Sequence, residues 1–158
     1  IPLIETKENI LNPEEIVEGY VKEEGVNDYQ RVWLARSDPA LNYGSLSAII
    51  MNKLALQRLH DLQSEISIEI LPILGTGSAP FRGNLKPTNA RHILKGYPSV
   101  QTFTIQSAFK YDFPEDQVVK AIELLEGSKR GNPLIINDEK KALEILTKVA
   151  DEYAIQVA

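Results

Sequence analysis

Four short polar segments follow apolar runs at regular intervals along the chain. They are Glu5, Arg36-Ser37-Asp38, Gly75-Thr76-Gly77-Ser78 and Gln106-Ser107. In parallel α/β folds, functional groups gather at the carboxyl ends of strands, so these segments are the first candidates for a site. Glu5 and Asp38 fall at the ends of neighbouring runs. Two carboxylates there suit a hard cation such as Mg²⁺, which takes oxygen ligands and keeps waters for substrate. The plainer alternative makes Glu5 a solvated loop acid and Asp38 a helix cap.

The third segment opens a longer loop, Gly75-Thr76-Gly77-Ser78-Ala79-Pro80-Phe81-Arg82-Gly83. Its three glycines permit close backbone approach, and successive N–H groups can cradle an anion. Arg82 adds a planar fork matched to phosphate or carboxylate. The loop lacks the Lys-Ser/Thr ending of a P-loop and the Gly-x-Gly-x-x-Gly spacing of a dinucleotide site. A turn with a surface arginine is its plain alternative. Ser37, Ser78 and Ser107 make poor nucleophile candidates, because His60 and His92 both fall in expected helices rather than in these loops. Trp33 reads as core, and the Lys129-Arg130 and Lys140-Lys141 pairs read as solvated helix-end charges.

The elements that must position these groups follow a β-α alternation. Strands are expected at Ile1 to Glu5, Gln30 to Arg36, Ile66 to Leu74 and Val100 to Ser107. A helix is expected from Asn12-Pro13-Glu14-Glu15, with Asn12 as cap, to about Gly25. A long helix from about Gly44 to Glu65 carries Leu46, Ile49, Ile50, Leu54 and Leu62 as its apolar stripe. Pro87-Thr88-Asn89 opens a short helix ending near Gly96. Asp112-Phe113-Pro114-Glu115-Asp116 starts another, with Val118, Ile122 and Leu125 inward, closing at Lys129-Arg130-Gly131. Leu134 to Ile136 reads as a short strand or a buried connector. Asp138 caps a last helix whose face is Leu143, Leu146, Val149, Ala150 and Tyr153. Strand starts near 1, 30, 66 and 100 have the spacing of β-α units, so the sheet should be parallel. A (β/α)₈ barrel needs roughly 250 residues, so the chain reads as about half of one. A half barrel exposes strand edges that another segment, a partner chain or an open sheet must manage.

Composition narrows the classes. The chain has 158 residues, enough for one domain with a core. Its formal charge of −5 argues against a nucleic-acid partner, which needs a basic face. With no cysteine, thiol catalysis and thiolate metal sites are excluded, and two histidines cannot build a three-histidine zinc site. No run approaches the length of a membrane span, so no membrane role is expected. The opening Ile1-Pro2-Leu3-Ile4-Glu5 is unlike a signal peptide and reads as mid-strand, so the chain is expected to begin inside a larger protein.

At this point the segments carry a resemblance. Arg36-Ser37-Asp38-Pro39-Ala40-Leu41-Asn42-Tyr43-Gly44, the loop from Gly75 to Leu85, and Thr104-Ile105-Gln106-Ser107-Ala108-Phe109 resemble the archaeal-type phosphoenolpyruvate carboxylases. The opening Pro2-Leu3-Ile4-Glu5-Thr6 is similar to a Pro-Leu-x-Glu-Thr segment of that family. The four motifs occur in order between positions 2 and 109, and the C-terminal helices fit in character only. The resemblance implies part of a (β/α)₈ TIM-type barrel over residues 1–158. It implies a cytoplasmic, homo-oligomeric lyase that makes oxaloacetate and phosphate from phosphoenolpyruvate and bicarbonate with Mg²⁺ or Mn²⁺.

Residue by residue, the resemblance puts Glu5 and Asp38 on the metal carboxylates. Arg82 falls on the arginine that handles bicarbonate and carboxyphosphate, and Gln106 on a strand-end glutamine; these two are the expected catalytic residues. Arg36, Gly77, Ser78 and Arg82 are the expected substrate-binding set. Two positions depart from the larger bacterial and plant enzymes. Thr76 stands where they carry a further arginine, and Leu41 where they carry a lysine. The family's catalytic histidine lies upstream of this segment, so the isolated chain should be inactive. Two alternatives remain open: another metal-dependent phosphoenolpyruvate or pyruvate lyase on the same barrel, or a noncatalytic anion-binding or interaction domain.

Overall fold

The computed structural model describes residues 1–76 and 84–157. Four parallel strands form one sheet in chain order: β1 (Leu3–Ile4), β2 (Tyr29–Leu34), β3 (Glu69–Leu74) and β4 (Thr102–Phe103). Ile4 stands against Leu34, Leu34 against Leu74, and Leu74 against Phe103, so the four carboxyl ends finish on one line. Helices α1 (Lys7–Leu11) and α2 (Pro13–Glu24) join β1 to β2. Helices α3 (Ser37–Tyr43) and α4 (Ser45–Ile66) join β2 to β3. A 3₁₀ turn (Pro87–Asn89) and α5 (Ala90–Gly96) precede β4. Then come α6 (Ser107–Tyr111), α7 (Glu115–Glu126) and α8 (Glu139–Val157). The expected parallel α/β class is present.

Local chemistry explains the boundaries, including three helices the pattern did not suggest. Thr6 caps α1, its hydroxyl accepting from the Asn9 N–H at 3.2 Å. Asn12 does not cap α2 with its side chain as expected; its amide donates instead to the Glu8 carbonyl at 3.0 Å, closing α1. Pro13 at the first position and Glu14 and Glu15 in the first turn start α2 without that bond. The segment after β2 turns helical one residue past Arg36, because Pro39 sits in the first turn where its missing N–H costs nothing. Gly44 then separates α3 from α4. Its φ of 84° suits glycine, and a Cβ there would meet the Tyr153 ring at 3.3 Å. The expected strand to Ser107 is cut short because Ser107 begins α6.

The core lies on one face of the sheet. Gln30, Val32 and Leu34 alternate toward α4 and are buried, while Tyr29 and Trp33 alternate to the other face and are 48% and 40% exposed. Leu3, at 55%, shares that open face through its pairing with Trp33. Trp33 is therefore not a core residue, contrary to expectation. Helix α4 packs against α1, α2, α3 and α8, so it is buried on more sides than one stripe would allow. Leu46 is exposed rather than inward; Ser47, Ala48, Met51, Ala55 and Leu59 fill the interior instead. Arg58 staples this arrangement. Its guanidinium donates to the Leu11 carbonyl, to Asn12 Oδ1 and Glu14 Oε1 at 3.3 Å, and to Glu139 at the start of α8. Asp138 caps α8 as expected, accepting from the Lys141 N–H at 2.9 Å. Leu134 and Ile135 are neither strand nor buried, at 47% and 57% exposed.

Candidate active site

Every expected site residue that the structure describes lies at the carboxyl edge of the sheet. Glu5 follows β1 directly, and the Ile4 carbonyl accepts from the Ala35 N–H at 2.9 Å, which locks the ends of β1 and β2 together. Asp38 stands in the first turn of α3, three residues after Ala35. Both carboxylates are exposed, and neither takes a hydrogen bond or ion pair from another described residue. Gln106 caps α6 with its backbone, its carbonyl accepting from the Phe109 N–H at 3.0 Å, and its side chain is half-buried. Gly77, Ser78 and Arg82 lie outside the described residues.

Arg36 is placed differently from an open binding residue. It is buried to 2% exposure at the end of β2. Nη2 donates to Ser45 Oγ at 3.0 Å, while buried Nε and Nη1 have no partner among the described residues. Burial lowers the guanidinium pKa from its ordinary value, and Tyr97 nearby opposes that shift. Tyr97 is itself buried, its hydroxyl has no partner among the described residues, and burial raises its pKa. Lys53 stands 4.8 Å from the Tyr97 ring centroid and donates to the Gly96 carbonyl at 2.7 Å. Asn52 donates to the Ala35 carbonyl at 3.3 Å. These side chains put a buried polar layer immediately behind the edge that carries Asp38.

The root of the glycine loop is held by Gly75, Thr76 and Thr104, whose mutual bonding the sequence did not show. Gly75 donates to the Leu34 carbonyl at 2.9 Å, and a Cβ on it would meet Trp33 Nε1 at 3.2 Å and the Leu34 oxygen at 3.3 Å. A side chain here would crowd β2, so the close approach favours glycine. Thr76 is fully buried. Its N–H donates to Thr104 Oγ1 at 3.1 Å, and its hydroxyl donates to the Thr104 carbonyl. This reciprocal latch ties the exits of β3 and β4 together just before the loop that holds Arg82. A threonine at each of two strand ends was the only signal, and it is too common to single out the pair.

The carboxylate pair can be tested against the cation its chemistry suggests. Mg²⁺ is usually held by one or two carboxylates plus waters and substrate phosphate rather than by an all-protein cage. Glu5 and Asp38 supply two open carboxylates at adjacent strand ends, without a partner among the described residues. No cluster of three or more acidic, histidine or cysteine ligands occurs among the described residues. The donor set fits a hard dication that keeps most of its waters.

The family profile described as Phosphoenolpyruvate carboxylase matches residues 1–158. A phosphoenolpyruvate carboxylase of Caldivirga maquilingensis is 44% identical over 99% of the chain. Those of Halobacterium salinarum and Pyrococcus abyssi are 48% and 46% identical over 99% of it. The chain covers 31% of the first of these proteins and 32% of the other two, about a third of their length. Among the described residues, no helix is long and apolar enough to cross a membrane.

Proposed function

We propose a function from one premise: the chain belongs to the phosphoenolpyruvate carboxylase family. The reading is carboxylation of phosphoenolpyruvate by bicarbonate to oxaloacetate and phosphate, carried out by the longer polypeptide of which this chain is a segment. The observation that carries it is the pair of open carboxylates, Glu5 and Asp38, at the ends of adjacent strands. The open sheet face bearing Leu3, Tyr29 and Trp33 supports a (β/α)₈ barrel, with the rest of the polypeptide covering that face. The same reading makes the enzyme a cytoplasmic homo-oligomer.

In this mechanism a bicarbonate oxygen attacks the phosphorus of phosphoenolpyruvate, and the bond from phosphorus to the enol oxygen breaks. Carboxyphosphate and the enolate of pyruvate form. Carboxyphosphate then releases CO₂ and phosphate, and the enolate carbon captures the CO₂. Glu5 and Asp38 would hold Mg²⁺ or Mn²⁺. When bound, the cation supplies Lewis-acid stabilisation to the developing negative charge of the enolate oxygen. Arg82, Gly77 and Ser78 are read as the groups that hold the anionic oxygens where charge develops. Arg36 contributes a fixed positive charge at the end of β2, attractive to both anionic substrates. Gln106 offers an uncharged amide at the end of β4, suited to orient a carboxylate. The remaining task of the edge is to exclude water from the enolate.

Mn²⁺ calorimetry on the full polypeptide tests the site. The wild type should bind the metal, and the Glu5→Gln/Asp38→Asn double variant should lose at least about tenfold in affinity, the factor that about 1.4 kcal/mol confers. Equal binding by the two proteins would remove this pair from the metal site.

A further inference from the structure

A polar cavity lies on the helix-covered side of the sheet, toward its amino end and away from Glu5 and Asp38. Its origin is the short β4. Even-numbered residues of β3 point their backbone groups toward β4: the Leu74 carbonyl accepts from Thr104 at 3.1 Å and the Pro72 carbonyl from Gln101 at 2.9 Å. At Ile70 no strand of the described residues remains to pair on that side. Gln63 Oε1 accepts from the Ile70 N–H at 2.9 Å, and Arg130 Nη1 donates to the Ile70 carbonyl at 2.5 Å. Side chains satisfy the strand edge, but they do not fill the volume a longer strand would occupy. A cavity of about 160 Å³ is left, lined in part by His60, Gln63, Ile70, Ser99, Arg130 and Asn132. At about 30 Å³ per water, that is the space of roughly five waters.

The lining has more donors than acceptors. Arg130 is not the solvated helix-end charge expected from sequence: it is docked by its Ile70 bond and by Glu69 at 2.6 Å. Two of its five N–H groups are used there, which leaves three. Gln63 spends its oxygen on Ile70, so its amide nitrogen retains both protons. Ser99 is 94% buried by its 6% exposure, and its hydroxyl has no partner among the described residues. Among the described residues, no carboxylate lines the cavity. A buried hydroxyl without a partner is costly and calls for one.

We propose that this cavity is a binding site for a small oxyanion, a carboxylate or phosphate group of about five heavy atoms, held by Arg130, Ser99 and the Gln63 amide. It is separate from the carboxylate edge and does not rest on the reading given above. The test is calorimetry of the full polypeptide with acetate and with inorganic phosphate as probes. At least one should bind with Kd of about 1 mM or below, and which one does identifies the source of the oxyanion. Ser99→Val, which removes the hydroxyl and fills the space, should weaken that binding at least tenfold, whereas Arg82→Gln should leave it within twofold. Ser99→Ala should weaken it as well without lowering the melting temperature, because the hydroxyl has no partner to lose. No binding of either probe would overturn the proposal. So would binding that Arg82→Gln abolishes and Ser99→Val spares, since the anion would then sit at the carboxylate edge. A lowered melting temperature for Ser99→Ala would also overturn it, by giving the hydroxyl a structural partner.

Discussion

The Thr76–Thr104 latch gives the sharpest test of how the sheet positions the glycine loop. Thr76→Val keeps the side-chain shape and deletes one donor, leaving the Thr104 carbonyl without its partner. A buried polar group stranded in this way costs about 1–3 kcal/mol. The methyl that replaces the hydroxyl returns up to about 0.8 kcal/mol through apolar burial. The net is about 1–2 kcal/mol of local stability. Thr104→Val removes the acceptor of the Thr76 N–H and should cost a similar amount. Each variant breaks a different one of the two bonds, so the double variant should lose about the sum of the two costs. Hydrogen exchange in the full polypeptide is the assay, since it reads local opening and does not require two-state unfolding. Amides at the exit of β3 should exchange about 5–30-fold faster in Thr76→Val, the factor that 1–2 kcal/mol corresponds to. Turnover should fall about tenfold or more as the loop root shifts, with a smaller change in KM for phosphoenolpyruvate. Exchange within twofold of wild type would refute the latch as the device that sets the loop.

Three further outcomes are expected. Tyr97→Phe should reduce the alkaline loss of stability. Burial raises the folded-state pKa of Tyr97 above the ordinary value of about 10, so its contribution is present below pH 10 and lost as pH rises through the folded value. A denaturation series from pH 8 to 11 should therefore fall less steeply in the variant, and an identical slope would contradict the assignment. Leu146→Ala should destabilise the docking of α8 by about 2–5 kcal/mol, because Leu146 is fully buried against the core; protease cleavage within 139–157 should accelerate accordingly. Arg82→Lys should lower kcat by about 10²–10³ and raise the ratio of pyruvate to oxaloacetate, if the Arg82 guanidinium fork, which a lysine cannot reproduce, has the proposed role of retaining carboxyphosphate. An unchanged kcat and ratio would make Arg82 a turn residue.

Much of the architecture was legible because it rests on period and spacing. The recurrence of apolar runs pointed to parallel strands over 1–5, 30–36, 66–74 and 100–107; the strands stand there at 3–4, 29–34, 69–74 and 102–103, and the order of the sheet follows the chain. What was not legible depended on single side chains choosing between local partners. The helices expected near 12–25 and 44–65 stand as α2 and α4, but α1 and α3 form in stretches that looked like loop, through the Thr6 cap and Pro39 in a first turn, which no hydropathy pattern encodes. Trp33 looked like core because strands with large apolar residues usually bury them. Its alternation with Leu34 instead sends it to the face that the described residues leave open. The positions of Glu5, Asp38 and Gln106 at the carboxyl edge were readable from strand ends alone. The burial of Arg36 against Ser45 was not, because it depends on where α4 crosses the sheet. Arg130 was misread for a related reason: its partners are backbone and side chain of a strand about 60 positions earlier.

The central claim is that this edge carboxylates phosphoenolpyruvate with the help of Glu5 and Asp38. It is tested most directly by supplying the full polypeptide with phosphoenolpyruvate, Mg²⁺ and ¹³C-bicarbonate and following the label into oxaloacetate. The wild type should incorporate one labelled carbon per phosphate released, and Asp38→Asn should incorporate it at least about 10²-fold more slowly while keeping the same fold by circular dichroism. Unlabelled product from the wild type, or full label incorporation by Asp38→Asn, would contradict the account.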